Sequence, residues 1–389
     1  MNKANNKRRK KGEGSIYFEE VRGKWIATVV VEGKKKVFRA PTMAEANDLR
    51  SEFITDYKKA KKQGRRLADL EDTRTINDFA DIYFKYREAM DNVSVKTLDE
   101  YKNKYIWHIK EALGDKEART INEELIEKHV MDLIKNDVGA YTIRKSINVL
   151  KKILDRVVKA KLIPSNPITE DIELPKHKKK ETKAMDSNEL KQFLEVARKN
   201  KHYSFWHLLL NTGMRVGEAM ALVWDDFNFE TGEVTLSKTY DYKYGLKEGT
   251  KNGESRTLKL NESTVQIMKE HKAFQEMGNL VDTIENKSNV VFQDANGNHL
   301  YLPSVRRRHF NAIIEEVIDS KTHKPIELTI HGLRHTFASL SLQNGVPLVE
   351  VSGYLGHKNT RITAEIYAHY LPTESTNTAS AIEQIIKSE

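Results

Sequence analysis

From Thr75 to about Leu162, apolar side chains recur at i, i+3, i+4 and i+7, a spacing that lines one stripe of a helix and does not fit the two-residue period of a strand. Phe79, Tyr83 and Tyr86 form one stripe, Tyr101, Tyr105 and Ile109 a second, and Ile143, Ile147, Leu150, Leu154 and Val158 a third. The pattern predicts four or so helices packed as a small bundle. Ahead of it the period changes. Ser15 to Val21, Lys24 to Glu32 and Lys34 to Ala40 are short β-type runs separated by Arg22-Gly23 and Glu32-Gly33, which predicts a three-stranded meander. Pro41-Thr42 then opens a helix in which Thr42 and Glu45 make a capping box. Met43, Ala46, Leu49, Phe53 and Tyr57 share the helix face expected to cover the sheet. The opposite sheet face is expected to display Lys and Arg at strand spacing, which suits a DNA groove.

Pro164, Pro167 and Pro175, followed by His177 to Lys180 and Lys183, interrupt the helical pattern and read as an exposed basic linker with a boundary near residues 165 to 184. Asp186 and Glu189 mark a new helix start, and the rest is mainly helical apart from one β segment. A chain of 389 residues is long enough for two or three units, each with its own core. The expected fold is therefore multi-domain and mainly α with small β elements. Its parts are a sheet plus helix over 1–65 with a basic N-terminal tail, a helical bundle over 75–165, and a mixed α+β domain with a tail helix over 185–389.

Lys and Arg number 65 against 56 Asp and Glu, a net charge of +9 that favours an anionic partner such as nucleic acid or a membrane surface. No apolar run has the length of a membrane span, and none follows the basic N-terminus as in a signal peptide. A soluble cytoplasmic protein without a membrane partner is expected. The absence of cysteine excludes disulfides, thiolate nucleophiles and thiolate zinc sites. Covalent chemistry, if present, must use another side chain. Lys3, Lys7, Arg8, Arg9, Lys10 and Lys11 carry almost no apolar neighbours and read as a segment disordered when free, either a solubilising tail or a DNA-contacting arm.

The residues with chemical potential lie in the second half. Asn211-Thr-Gly-Met-Arg-Val-Gly-Glu218 puts Arg215 after a glycine turn at a helix start, with Glu218 three residues on. The pair reads either as a surface ion pair or as part of a phosphate cradle. Glu233 to Tyr240 and Arg256 to Leu260 read as a hairpin whose turn, Thr250-Lys251-Asn252-Gly253, holds Lys251 at the tip, solvated or reaching a DNA groove. In Thr329-Ile-His331-Gly-Leu-Arg334-His335, His331 and Arg334 share a helix face. Gly353-Tyr-Leu-Gly-His357 follows, and ten residues later comes Tyr367 in Ala364-Glu-Ile-Tyr-Ala-His-Tyr370. Each alone is unremarkable; the ordered set in a basic protein is not.

In order, Thr212-Gly-x-Arg215-x-x-Glu218, Thr250-Lys251, His331-x-x-Arg334-His335, Leu355-Gly-His357 and Tyr367 resemble the motifs of the tyrosine recombinases, the phage-type integrases. The resemblance covers roughly residues 185 to 370, and more loosely the bundle, which is similar to the family's core-site-binding domain. The N-terminal meander and helix resemble the arm-binding domain of integrases from phages and conjugative transposons. The resemblance implies a site-specific recombinase that cleaves and rejoins double-stranded DNA through a 3′-phosphotyrosyl intermediate, integrating and excising a mobile element. Tyr367 would be the nucleophile, with Tyr370 a competing phenol. Arg215 and Arg334 would hold the non-bridging oxygens, and His331 and His357 would add hydrogen bonds, with His331 able to accept the tyrosine proton. Lys251 would protonate the leaving 5′ oxygen, and Glu218 would orient another group. No metal, ATP or other cofactor is needed, because the phosphotyrosine keeps the energy of the broken bond.

The expected assembly is a homotetramer on synapsed DNA bound at core and arm sites, with an accessory DNA-bending or excision factor. A resolvase or invertase of the same family is the alternative, and it commonly lacks an arm-binding domain. A non-catalytic DNA-binding regulator would not need the full polar set, and a ribonuclease or phosphatase would not need a stable tyrosyl link. Beyond Thr373, Ala379, Ile382, Ile385 and Ile386 fall at helical spacing and read as a tail helix that docks on a neighbouring protomer or on its own domain.

Overall fold

The computed structural model describes residues 14–62, 66–67, 71–90, 93–177, 183–249, 255–282 and 289–370. The basic N-terminal segment, the Thr250–Gly253 turn with Lys251, and the tail from Thr373 lie outside them. The chain divides into two compact units, residues 1–179 and 180–389.

In the first unit, β1 (Ile16–Glu19), β2 (Lys24–Val31) and β3 (Lys34–Ala40) pair antiparallel in the order β1-β2-β3. The turns use left-handed backbone at Gly23, Glu32 and Gly33, with φ of 59°, 48° and 77°. α1 (Met43–Lys62) starts as its sequence predicts, with reciprocal hydrogen bonds of Thr42 and Glu45 at 3.2 and 3.3 Å. The face it buries is shifted from the expected one. Ala46 and Ala60 are buried and Phe53, Ile54 and Tyr57 pack on Val29 and Val31, whereas Met43 and Leu49 are exposed.

The outer sheet face also differs from a Lys and Arg stripe. Tyr17, Ile26 and Arg39 pair across the three strands, and Thr28 with Val37 and Val30 with Lys35 continue that face. Tyr17, Val30 and Val37 are exposed beside Lys35 and Arg39. Lys34 and Lys36 lie on the other row and pair with Glu71. The two-residue period thus divides the basic run of β3 between the faces.

The bundle consists of α2 (Ile76–Ala89), α3 (Val95–His108), α4 (Glu123–Lys135) and α5 (Ala140–Lys159). Thr75, Ser94 and Asn122 cap the first three through hydrogen bonds from backbone N–H groups three residues on. Phe79, Tyr83, Tyr105, Ile109, Ile143, Ile147, Leu150 and Leu154 form its core as their spacing predicts. Tyr86 does not join them. It is 39% exposed, with the Arg156 guanidinium 3.7 Å from its ring centroid.

The proline-rich stretch after α5 is not the exposed linker expected. Ile163, Ile168 and Ile172 are buried in the bundle core and Leu174 packs against it. Arg144 donates to the carbonyls of Leu174 and Pro175 at 3.0 and 2.8 Å, and Asn166 to Lys151 O and Asp155 at 2.9 and 2.7 Å. Prolines excluded a helix without excluding burial, because isoleucines at irregular spacing leave no periodic signal.

In the second unit, α6 (Ser187–Ala197) carries the expected Asp186–Glu189 capping box. It is followed by α7 (Tyr203–Thr212), buried on nearly all sides, and the short α8 (Val216–Ala221). β4 (Phe227–Asn228), β5 (Glu233–Leu236) and β8 (Arg256–Lys259) form one sheet in that order. The expected single hairpin is subdivided, since β6 (Lys238–Asp241) and β7 (Gly245–Glu248) turn back at residues 242–244 and pair as a separate ribbon. α9 (Glu262–Asp282), α10 (Ile330–Gln343), α11 (Leu348–Leu355) and α12 (Thr360–Tyr367) complete the elements that matter below. Phe193, Phe205, Trp206 and Phe310 centre the core, each fully buried. No helix among the described residues is long and apolar enough to cross a membrane.

Ile172→Ala should cost the bundle about 2–4 kcal/mol, the range for truncating a buried aliphatic side chain. Faster hydrogen exchange of the core amides of α5 would register it, and unchanged exchange would show that residues 163–174 are not part of the core.

Candidate active site

Two helix ends made by glycine bring the polar residues of the second unit together. α7 ends at Gly213 with φ of 61°, and a Cβ there would lie 2.3 Å from a Phe337 ring carbon, so both conformation and space require glycine. The chain leaves with Arg215 as the residue preceding α8. α11 ends in the same way at Gly356, also with φ of 61°, and delivers His357.

Arg334, from the buried side of α10, joins the two ends. It is 3% exposed and donates through Nη1 to Gly213 O and through Nη2 to Leu355 O, both at 2.7 Å. Nη2 also lies 2.9 Å from His357 Nε2. Burial, and then the neighbouring Arg215 charge, lowers its pKa to about 9. The guanidinium stays protonated at neutral pH.

Because an arginine can only donate, His357 Nε2 is the acceptor and the proton sits on Nδ1, which donates to Thr363 Oγ1 at 2.8 Å. Burial and the charges of Arg334, Arg215 and Arg256 push His357 down to about 4. It is neutral here.

Glu218 is 2% exposed and its carboxylate gathers four donors. Arg215 contributes its backbone N–H at 2.8 Å and Nη1 at 2.9 Å, and Arg256 contributes Nη1 at 3.1 Å and Nη2 at 2.7 Å. Burial alone would raise the carboxyl pKa, but the hydrogen bonds and charge of Arg256, then those of Arg215, hold it below the usual range. Arg215 also reaches Gly356 O at 3.5 Å. The Arg215–Glu218 pair is therefore a buried structural contact, not the surface ion pair that spacing alone allowed.

Tyr367, at the end of α12, is 2% exposed, and its hydroxyl lies 2.5 Å from His335 Nδ1. Burial raises the phenol to about 12 and lowers His335, which also faces His331 and Arg334, to about 3. The proton therefore stays on Tyr367, which donates to a neutral imidazole. His331 is exposed, with its ring edge-on to that of His335 at 4.7 Å. The family resemblance made His331 the acceptor of the tyrosine proton, whereas His335 is the imidazole that stands against the hydroxyl. His335 lies one residue beyond the i, i+3 pair on α10, and only its contact with α12 reveals it.

Arg215, Glu218, Arg334 and His357 thus form one connected hydrogen-bonded cluster, and Tyr367 is linked to α10 by its bond to His335. Lys251 lies outside the described residues. Arg256, read from the sequence only as the start of a strand, is the cluster member that spacing missed. No group of three or more His, Cys, Asp or Glu among the described residues could hold a metal ion.

The profile of the Phage integrase family matches residues 183–374. The chain is similar to an integrase of Streptomyces ambofaciens, 26% identical over 93% of both chains. It is also similar to a tyrosine recombinase XerC-like protein of Caldanaerobacter subterraneus, 27% identical over 74% of this chain and 78% of the relative. The ICEBs1 integrase of Bacillus subtilis is 24% identical over the same shares. In fold, the chain resembles the Tn1549 transposon integrase solved with transposon right end DNA, with a TM-score of 0.62 at 19% identity over 81% of this chain and all of that one. A lambda integrase dimer bound to a core site gives a TM-score of 0.62 at 16% identity over 95% and 98% of the two chains.

The buried histidine has a consequence for stability. His335 would titrate near its ordinary value of 6.5 when unfolded and at about 3 when folded. Between those values the unfolded chain binds more protons, so the contribution is full above pH 6.5 and is lost as pH falls towards 3. At pH 5 the loss from this group is about 2 kcal/mol. Melting temperature should fall from pH 7 to pH 5, and His335→Gln should flatten part of that fall; an unaltered slope would mean that His335 is not held neutral by burial.

Proposed function

We propose that this chain, which belongs to the phage integrase family of tyrosine recombinases, integrates and excises a mobile DNA element by site-specific cutting and rejoining of double-stranded DNA. The observation that carries this reading is the convergence of Arg215, Arg334 and His357 in one cluster, with Tyr367 held by His335 on the helix that supplies Arg334.

Arg215 and Arg334 hold the two non-bridging oxygens of the scissile phosphate and offset the charge that grows in the transition state. The bound phosphate favours the protonated forms of nearby imidazoles, so His357 gains the proton it needs to donate to that oxygen, and His331 donates from the exposed side. Tyr367 Oη attacks phosphorus, its proton passes to His335, and the bond from phosphorus to the 5′ oxygen breaks. Lys251 protonates that oxygen. The DNA 3′ end remains on Tyr367 as a phosphotyrosine, and a 5′ hydroxyl of another strand reverses the step. With the hydroxyl buried against His335, the observed arrangement is a resting one, and DNA binding must bring α12 forward before attack.

The domain roles follow the same reading. Residues 1–65 bind arm sites, with Tyr17, Val30 and Val37 offering apolar contacts and Lys35 and Arg39 charge on one sheet face; residues 75–165 bind core sites; residues 185–389 carry the chemistry. The tail helix docks on a neighbouring copy in a homotetramer on synapsed DNA, and an accessory bending or excision factor sets direction. The N-terminal sheet and helix favour an integrase over a resolvase or invertase.

Tyr367→Phe should fold and bind a nicked duplex carrying the strand-exchange site yet form no SDS-resistant adduct, whereas Tyr370→Phe should still form one. An adduct from Tyr367→Phe would transfer the nucleophile to Tyr370. Lys251→Ala should slow cleavage, by on the order of 100-fold or more, on ordinary DNA, but far less on a substrate with sulfur as the 5′ leaving atom, since a thiolate departs without a proton. Equal slowing on both substrates would remove Lys251 as the general acid.

A further inference from the structure

Arg256 is engaged on three sides yet has no part in the steps above. It leaves β8 with its side chain 14% exposed, clamps both Glu218 oxygens through Nη1 and Nη2, and donates through Nε to Tyr354 O at 3.1 Å. Gly356 packs directly on its guanidinium plane, where a Cβ would lie 2.8 Å from Cζ. One side chain, carried by β8, therefore contacts both the start of α8 and the end of α11.

The partners of Arg256 set the two groups that lie beside it. Glu218 holds Arg215 through both its backbone N–H and its guanidinium. The Tyr354–Gly356 turn delivers His357, and Gly356 O is also the acceptor for Arg215 Nη2. With Arg256 removed, Glu218 keeps the two donors from Arg215, a buried carboxylate loses two of its four hydrogen bonds, and the clamp that Arg256 makes between the α8 start and the α11 end is lost. A planar fork with three engaged donors fixes orientation as well as charge, which a lysine cannot reproduce.

We infer that Arg256 is a positioning residue for phosphoryl transfer: it never meets the phosphate, but sets Arg215 and His357 at the spacing at which they hold it. This rests on the recombinase reading above. A displacement of about 1 Å in such a cradle costs on the order of 100-fold in rate.

The test uses the full chain in single-turnover adduct formation on a nicked duplex carrying the strand-exchange site, at saturating protein, with binding measured separately by gel shift. Arg256→Lys should slow adduct formation about 100-fold with DNA affinity nearly unchanged and a modestly lower melting temperature, since the ammonium keeps a charge and a donor beside Glu218. With a methylphosphonate at the scissile position one non-bridging charge is absent, so misplacement of Arg215 matters less and the deficit should shrink at least tenfold. A 5′ sulfur leaving group should not shrink it, because leaving-group protonation is not what Arg256 serves. Arg256→Gln, which keeps donors for Glu218 and the Tyr354 carbonyl, gives the same readout if the lysine variant folds poorly. An equal deficit on phosphate and methylphosphonate, rescue by sulfur, or wild-type rates from both variants would overturn the inference. Failure of the wild-type chain to form any adduct would instead reject the recombinase reading itself.

Discussion

The buried guanidinium of Arg334 is the constraint on which the site is built. Placing a cation at 3% exposure costs several kcal/mol unless acceptors surround it, and here the carbonyls of Gly213 and Leu355 and the ring of His357 do so. A charge-assisted hydrogen bond returns about 1.5–3 kcal/mol, so three of them can offset that cost only if all three are made together. Each acceptor comes from a helix end bent by a left-handed glycine. The same requirement that makes the unit foldable therefore brings Arg215, carried by the first end, and His357, carried by the second, to one cation. On the reading proposed above, a phosphate entering this cluster would meet charges already desolvated and already oriented, which is the condition under which electrostatic catalysis is strong.

Much of this was legible in the sequence because the signals are local. The Thr42–Glu45 and Asp186–Glu189 boxes, the turns at Gly23 and Gly33, and the bundle stripes each follow from residues within one or two turns of chain. What was missed depends on distant contacts. Ile163, Ile168 and Ile172 are core without periodicity, and Leu49 and Tyr86 fall on helical stripes yet are themselves exposed. The second hairpin, β6–β7, was absorbed into a longer one because Tyr242 to Tyr244 carry no strong turn signature. In the site, the family resemblance singled out Arg215, Arg334, His357 and Tyr367 as candidates. It could not place His335 against Tyr367 or Arg256 on Glu218, since those pairs are 32 and 38 residues apart.

The pairing of Tyr367 with His335 also separates folding from reactivity. A phenol raised to about 12 beside an imidazole lowered to about 3 keeps its proton, so the nucleophile is inert until its surroundings change. Both shifts arise chiefly from burial, and movement of α12 towards solvent and a bound phosphate would reverse both at once. Restraint of this kind suits the recombinase proposed above, in which the hydroxyl would become reactive only where DNA is present to accept and to return the bond.

On the reading proposed above, the cluster around Arg334 presents a phosphate to Tyr367 and to no other side chain. Trapping the wild-type chain on a nicked strand-exchange duplex, digesting with trypsin and nuclease, and fragmenting the peptide spanning residues 362–387 by mass spectrometry would locate the nucleotide directly. That peptide contains both Tyr367 and Tyr370. A nucleotide mass on Tyr367 is the predicted result; one on Tyr370, on a serine or threonine, or on any other peptide would contradict it.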